Sequence, residues 1–136
     1  MNKIKNFFKS RIFRPKLWQP FMFEDSKFIE WKGKVAEKTG IGLPNVWAFS
    51  FFIFVWCRGK IDDRVRRHET IHFQQQLECL FVGQWILYLL SYLKNRITMN
   101  NSDAYYNNIF ELEAYEFDSK EDYLETRPRY AWIKYL

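Results

Sequence analysis

Residues 62–93, DDRVRRHETIHFQQQLECLFVGQWILYLLSYL, have the clearest secondary-structure pattern in this 136-residue chain. From residue 63 to residue 93 the stretch has no proline and a single glycine, Gly83, and its apolar residues recur at helical spacing. Asp62 and Asp63 stand where a helix would take an N-cap or a first-turn acid. The pattern predicts one long helix, or two helices in tandem, beginning near Asp63.

The two histidines of the chain, His68 and His72, both lie in this helical stretch, in the motif HETIH. Residues four apart share one face of a helix, with about 5–6 Å between their Cβ atoms, so both imidazoles can reach one metal ion. Glu69 projects beside the pair, where its carboxylate can take a proton from metal-activated water without being a ligand. The alternative is a chance alignment of two surface histidines. The confinement of both histidines to the motif favours the metal site.

A catalytic zinc ion takes three protein ligands and leaves a fourth position to water, so two imidazoles do not complete a site. Without a third histidine, the remaining ligand is expected to be a carboxylate or a cysteine. Cys79 follows His72 on the same helix, but one helix rarely closes a zinc site in this way, and a buried apolar role is favoured for Cys79. Glu111 and Glu113 in the later segment FELEAY are better candidates. They point about 200° apart on a helix, so only one of them can bind a given ion.

An HExxH helix followed by a second helix with the pattern E-x-x-A-[DNY] resembles the gluzincin zinc peptidases. The likeness is to minimal forms, such as the membrane-bound CaaX-type and heat-shock peptidases, the ImmA/IrrE regulators and small uncharacterised bacterial HExxH proteins. It covers roughly residues 47–128 and implies Glu111 as the third ligand, ahead of its rival Glu113. Tyr115 stands where the family often has an aspartate that holds a ligand histidine, and Asp118 lies one turn further. At this departure from the family pattern, the Tyr115 hydroxyl is a candidate to bond to an imidazole or to a reacting oxyanion.

The expected fold is α+β and mainly helical, with a zincin-like HExxH helix packed on a second, glutamate-bearing helix and a small strand or hairpin. The second helix is predicted over residues 105–124, and a short helix or hairpin near residues 28–38. Residues 47–57, WAFSFFIFVWC, predict a strand buried on both faces or a hairpin arm. This strand resembles the edge strand with which gluzincins hold an extended substrate, and the alternative is a core wall behind the HExxH helix. Residues 1–20 are expected to form a basic, aromatic arm and residues 21–136 a single zincin-like domain.

The chain has a net charge of +5, and six basic residues with no acid fall in its first 16 residues, among isoleucines and phenylalanines. This segment favours contact with an anionic membrane surface, with a solvated arm as the alternative. Residues 80–93 would extend only about 21 Å as a helix, too short for a hydrocarbon core of about 30 Å. They predict a buried core helix or a helix that lies in the membrane interface.

Other compositional features bear on partners and location. Charge outside the first 16 residues is mixed and no nucleic-acid-binding motif occurs, so a nucleic-acid partner is not expected. The two cysteines make no disulfide framework and no signal peptide is visible. A cytoplasmic location, peripheral to the membrane, is therefore expected.

Two groups beside the motif have open roles. The three glutamines Gln74–Gln76 are interpreted as a polar helix face, with hydrogen bonds near the site as the alternative. Arg64, one turn before His68, is expected to pair with Asp62, Asp63 or a glutamate of the second helix rather than with a substrate carboxylate.

The sequence predicts a zinc-dependent hydrolase, and the family resemblance favours a peptidase acting on peptide or protein substrates. Glu69 would be the general base and Zn²⁺ the cofactor, since imidazole and carboxylate ligands suit zinc. A structural or regulatory zinc protein, in which the ion ties two helices together, is the alternative. A membrane-surface protein with an accidental HExxH is a third interpretation and predicts no bound metal.

Overall fold

The structure is a computed structural model that describes residues 18–40, 43 and 45–136. In this part of the chain it is α+β and mainly helical, as the sequence predicts, with six α-helices and one three-stranded sheet. Most of the arm expected at residues 1–20 lies outside the described residues. The elements are β1 (Phe21–Phe23), α1 (Lys27–Thr39), β2 (Ala48–Phe51), β3 (Phe54–Cys57), α2 (Asp63–Glu78), α3 (Val82–Arg96), α4 (Asn101–Tyr106), α5 (Ile109–Phe117), α6 (Tyr123–Thr126) and a C-terminal 3-10 helix (Ala131–Tyr135).

The aromatic run of residues 47–57 forms both arms of a hairpin rather than one strand. β2 and β3 pair antiparallel, with Ser50 opposite Val55, and Phe52 lies in the turn with a φ of 58°. β1, which the sequence did not predict, pairs parallel to β3 on its other side, so β2 is an edge of the described sheet. Val55 and Cys57 are fully buried on one face, while β2 is only half-buried along most of its length. The prediction of a strand buried on both faces is therefore wrong, because only one face of the sheet is fully buried.

The second face of the sheet is an aromatic surface that α1 covers in part. Phe23 and Phe49 stack on Trp56, and their ring centroids lie 6.2 and 6.1 Å from the Trp56 centroid. The ring centroid of Phe28, in α1, lies 5.1 Å from that of Trp56. α1 confirms the helix predicted near residues 28–38. It covers the rings incompletely, so they stay partly exposed.

Residues 62–93 form two helices in tandem, one of the two arrangements that the sequence predicts. Asp62 caps α2, since its Oδ1 accepts a hydrogen bond from the Val65 amide at 2.8 Å. Leu80 and Phe81 have positive φ angles of 54° and 61°, and α3 bends away from α2 by 111°. After the bend, α3 packs against α4 and α5.

α3 is not a buried core helix, which was one of the two expectations for residues 80–93. Gln84 is its one fully buried residue, whereas Leu89, Leu90 and Leu93 are all more than half exposed. Within the described ranges no single helix has the length and hydropathy to cross a membrane, although α2 and α3 pass that test together as a bent pair.

The helix predicted over residues 105–124 is broken into α4, α5 and α6. Asn108 is fully buried, and its side chain accepts from the Phe110 amide and donates to the Tyr88 carbonyl of α3. A capping side chain needs a non-helical backbone at its own residue, here φ −59° and ψ 137°, so one helix cannot run through Asn108. The resulting short α5 packs Ala114 against Ile71 of α2 in the core.

Candidate metal centre

Helices α2 and α5 bring three ligand side chains together in the core. His68, His72 and Glu111 are 8%, 6% and 3% exposed. The two Nε2 atoms lie 3.2 Å apart, and Glu111 Oε2 lies 3.4 Å from His68 Nε2 and 3.2 Å from His72 Nε2. In the part of the chain that the structure describes, these three form the one cluster of histidine, cysteine or acidic side chains that could hold a metal ion.

The spacing of the three atoms fits a tetrahedral metal ion. At zinc–ligand distances of about 2.0–2.1 Å, two ligand atoms of a tetrahedron lie about 3.3–3.4 Å apart. The observed separations of 3.2, 3.2 and 3.4 Å are close to this value. An ion can therefore enter the triangle with little movement of the side chains.

The outer neighbours of the two imidazoles set which ring nitrogen carries the proton. His68 Nδ1 lies 3.1 Å from Asp118 Oδ2, and His72 Nδ1 lies 2.9 Å from Gln75 Oε1. Gln75 Nε2 donates to the Phe110 carbonyl at 3.0 Å, which orients the amide so that its oxygen faces His72. Both partner atoms accept, so each Nδ1 donates and each neutral ring presents an Nε2 lone pair to the cluster. With both rings neutral, two lone pairs and a carboxylate oxygen converge, and a cation at their centre, either a proton or a metal ion, satisfies all three.

The electrostatics of the cluster favour positive charge at its centre. Burial alone would lower the pKa of His68, but hydrogen bonds to Asp118 and Glu111 outweigh it and raise this pKa to about 10. Burial would also lower the pKa of His72, but the charge of Glu111 outweighs burial and raises this pKa. Burial would raise the pKa of Glu111, but the two histidines lower it, so the carboxylate stays ionised. Surroundings that stabilise a proton on the imidazoles also stabilise a metal cation between them.

Glu111 contacts both histidines, and the alternative ligand Glu113 does not. Tyr88 Oη donates to Glu111 Oε1 at 3.1 Å, which leaves Oε2 directed at the imidazoles. Glu113 is fully buried on another side of α5, where Arg127 donates to it through Nε at 2.7 Å and Nη2 at 2.9 Å. Tyr123 Oη adds a third hydrogen bond to Glu113 at 3.0 Å. Glu113 is thus part of a buried ion pair outside the cluster.

Asp118, at the end of α5, holds His68 in place. Its Oδ2 accepts from His68, its Oδ1 accepts from Arg64 Nε at 3.0 Å, and its carbonyl accepts from Arg67 Nη1. Burial would raise the pKa of Asp118, but the bonds from His68 and Arg64 lower it. Arg64 therefore forms an ion pair, as expected, but with Asp118 rather than with an aspartate of its own helix or a glutamate of α5.

Tyr115 contacts His68 by its ring and not by its hydroxyl. The two ring centroids are 4.5 Å apart in an edge-on arrangement, and Tyr115 is 40% exposed. The hydrogen bond to an imidazole for which Tyr115 was a candidate is made by Asp118 instead. Burial and the Glu111 charge raise the pKa of Tyr115, so the phenol keeps its proton and can donate it in a hydrogen bond. Its contact with an oxyanion stays a prediction.

The glutamines after HExxH are buried and do not form the exposed polar face that the sequence suggested. Gln75 and Gln76 are 0% and 1% exposed. Besides its bond with His72, Gln75 donates to Glu113 Oε1 at 3.3 Å, and Gln76 donates to Ser50 of β2 at 2.9 Å. The sequence did contain a sign of this burial. An exposed helix face usually carries lysine or glutamate, whereas buried polar side chains are hydrogen-bonded and seldom charged, and the three residues here are neutral amides.

Glu69 lines a cavity of about 450 Å³ together with His72 and Glu111. Glu69 is 6% exposed, and none of the described residues donates a hydrogen bond to its carboxylate. Burial raises the pKa of Glu69, which makes it a stronger proton acceptor than a surface glutamate. The aromatic part of the cavity wall consists of Phe49 and Phe51 of β2, Trp85, Tyr88 and Tyr92 of α3, and Tyr105 of α4.

Cys79 lies outside the cluster. It is half-buried and packs against the apolar group around Phe110 and Trp132, in line with the apolar role favoured from the sequence. Both Cys79 and Cys57 are free thiols.

The bond between Asp118 and His68 leads to a first prediction. Asp118→Asn is expected to weaken Zn²⁺ binding by about 10–100-fold, because an outer carboxylate fixes the tautomer and raises the basicity of its imidazole. Competition against a coloured chelator measures the affinity, and circular dichroism checks the fold. Asp122→Asn, an exposed aspartate on the same segment, is the matched control. Equal affinities of the two variants would show that Asp118 does not support the ligand.

Comparisons of the chain with protein-family models, with curated proteins and with solved structures found no match. A function for this chain therefore has to be argued from the chemistry of the site itself.

Proposed function

We propose that this chain is a zinc-dependent hydrolase that cleaves peptide bonds, with His68, His72 and Glu111 as the ligands and Glu69 as the general base. The observation that carries the proposal is the placement of three converging lone pairs beside an unbonded carboxylate on one cavity wall. The order of these groups along the chain, HExxH and then a glutamate on a later helix, supports membership in a gluzincin-like family.

The ligand set supports zinc in a catalytic rather than a structural site. Two imidazoles and one carboxylate suit Zn²⁺, and catalytic sites keep three protein ligands where structural sites close with four. The cluster in the described residues has three members, and two of them line the cavity. When bound, zinc would polarise a substrate carbonyl and bring the pKa of a coordinated water to about 7.

Glu69 would move the proton. Its carboxylate faces the cavity beside His72, so it can accept a proton from the attacking water and pass it to the leaving amine. The Tyr115 hydroxyl, at the edge of His68, would donate to the oxyanion that develops on the substrate carbonyl. Asp118 and Gln75 keep the two imidazoles oriented while this happens.

The edge strand β2 supports an extended peptide as the substrate. One side of β2 pairs with β3, and no strand of the described sheet pairs with the other side. β2 lines the same cavity as Glu69, so a peptide added to its free edge would pass the candidate metal centre. The aromatic walls of the cavity suit a large apolar side chain next to the bond that is cleaved.

A structural or regulatory ion is the competing proposal, because the ligands come from both α2 and α5 and an ion would tie these helices together. Chelation separates the two. A catalytic ion is expected to take peptide hydrolysis with it and to change the melting temperature little. An inactive, zinc-loaded protein whose melting temperature falls strongly on chelation would support the structural role instead.

The metal itself is tested with Glu111→Gln. The wild-type protein is expected to bind stoichiometric zinc, measured by elemental analysis, and to cleave members of a broad peptide library. Glu111→Gln is expected to lose most of the metal, since a neutral amide is a poor zinc ligand. Glu121→Gln, an exposed glutamate shortly after α5, is the matched control and should keep the metal. A zinc-loaded wild type that cleaves no peptide would contradict the catalytic proposal.

A further inference from the structure

One face of α3 is an exposed apolar stripe. Its six members recur at helical spacing and occupy an arc of about 100° around the helix. Each is more than half exposed in the structure, from 51% at Leu93 to 82% at Ile97. The stripe consists of Val82, Ile86, Leu89, Leu90, Leu93 and, at the C-cap, Ile97. A continuous aliphatic surface of this kind marks an interaction site rather than scattered surface residues.

Aromatic side chains extend the stripe at the start of α3. Phe52, in the turn of the hairpin, is 42% exposed and contacts Phe81 with ring centroids 4.4 Å apart. Phe51, 44% exposed, stacks on Trp85 at 4.4 Å. The hairpin and α3 thus present one apolar surface with aromatic rings at one end.

The charged residues of α3, beside the stripe, are all basic. The helix contains no aspartate or glutamate, and its last turn carries Lys94 and Arg96, both exposed. The sequence adds six basic residues and no acid in its first 16 residues, and the chain as a whole has a net charge of +5. A partner for this surface has to be apolar where it meets the stripe and negatively charged beside it.

We infer that the stripe rests on the surface of a lipid bilayer that contains anionic lipids, with the axis of α3 parallel to the membrane. The 15 residues of α3 extend about 22 Å, which is too short to cross a hydrocarbon core of about 30 Å. Lying in the interface buries the aliphatic side chains among the acyl chains. It also lets Lys94 and Arg96 reach the phosphates of the headgroups.

A second copy of the chain is a poorer partner for the same surface. Pairing two stripes would bring two chains of charge +5 together and place Lys94 and Arg96 in a shared interface without an acid from α3 to neutralise them. An anionic bilayer neutralises the same cations.

The location of the stripe has a consequence for the proposed active site. Leu89 belongs both to the stripe and to the wall of the cavity that holds Glu69. Membrane binding by α3 would therefore place the cavity beside the bilayer surface. The membrane contact itself does not depend on the proposed hydrolysis and is tested without it.

Flotation with lipid vesicles tests the inference. The full-length protein is expected to float with vesicles of phosphatidylcholine and phosphatidylglycerol, and at least about tenfold less with pure phosphatidylcholine. Combining Ile86→Gln, Leu90→Gln and Leu93→Gln is expected to lower binding to the anionic vesicles by about tenfold or more. The matched control combines Ile133→Gln in the C-terminal 3-10 helix with Leu136→Gln just after it, both exposed apolar residues, and should bind as wild type does.

Three outcomes would overturn the inference. The first is a wild-type protein that does not bind anionic vesicles. The second is a triple variant, folded by circular dichroism, that binds as strongly as wild type, which would assign binding to the basic N-terminal segment alone. The third is a wild-type dimer by light scattering that becomes monomeric in the triple variant without any vesicle binding, which would assign the stripe to a second copy. If the triple variant fails to fold, Lys94→Glu takes its place in the test. This single substitution at an exposed residue keeps the stripe intact and is expected to weaken vesicle binding.

Discussion

Glu69→Gln is expected to lower peptide hydrolysis by about 100-fold or more and to leave the zinc content unchanged. A positioned general base contributes about 10²–10⁴-fold to a rate, and glutamine cannot accept the proton. Glu69 is not among the three converging ligands, and its carboxylate lines the cavity with no hydrogen bond from a described residue. The substitution keeps the shape of the side chain and removes its charge. Steady-state hydrolysis of the best library peptide, together with elemental analysis, measures both effects.

Asp63→Asn is the matched control for Glu69→Gln. Asp63 lies on the same helix, is exposed and is remote from the cavity lining, so its replacement removes an equal charge from α2 without touching the site. The hydrolytic activity of Asp63→Asn should equal that of wild type. Full activity of Glu69→Gln would remove Glu69 from the mechanism, and loss of zinc from this variant would make Glu69 part of the metal site instead.

Arg127→Met is expected to lower the free energy of unfolding by about 3–5 kcal/mol, since removing one partner of a buried ion pair leaves the other charge uncompensated. Glu113 is 0% exposed and receives two hydrogen bonds from Arg127, which also donates to Glu78 at 2.8 Å. Small domains have only about 5–15 kcal/mol of stability in total, so the change is large. Urea unfolding at neutral pH measures it.

Two comparisons decide whether the Arg127 effect has this cause. Arg129→Met, an exposed arginine two residues later, should change stability by less than about 0.5 kcal/mol. Adding Glu113→Gln to Arg127→Met should recover part of the lost stability, because the fully buried side chain at position 113 is then neutral, although Glu78 still lacks its arginine. A double variant less stable than Arg127→Met alone would contradict the uncompensated charge as the cause.

The ion pair and the candidate metal centre are joined through one side chain. Gln75 accepts a hydrogen bond from His72 and donates to Glu113, which in turn holds Arg127. The two acidic residues of the FELEAY segment therefore have separate roles, since Glu111 faces the metal position and Glu113 stabilises the core behind it. Glu111→Gln should cost metal with little stability, and Arg127→Met should cost mainly stability.

The local features of this protein follow from its amino-acid sequence. The helical period places His68 and His72 on one face wherever the helix lies, and Asp62 starts that helix because its side chain caps the first turn. The same period excludes binding of one ion by both Glu111 and Glu113, which lie two residues apart. The mainly helical α+β class followed from composition and spacing in the same way, whereas residues 28–38 were predicted only as a short helix or a hairpin.

Packing between distant elements assigns the partners of several locally similar side chains around the candidate metal centre. The family resemblance already favoured Glu111 over Glu113, and packing gives the physical reason, because Arg127 binds Glu113 away from the histidines. Asp118 took the place implied for Tyr115 because α5 ends where its carboxylate reaches His68. The hairpin at residues 47–57 depended on neighbouring strands and helices in a similar way. Periodicity describes one element at a time, whereas contacts between distant residues arise only when the elements pack, and these contacts assign each polar side chain its partner.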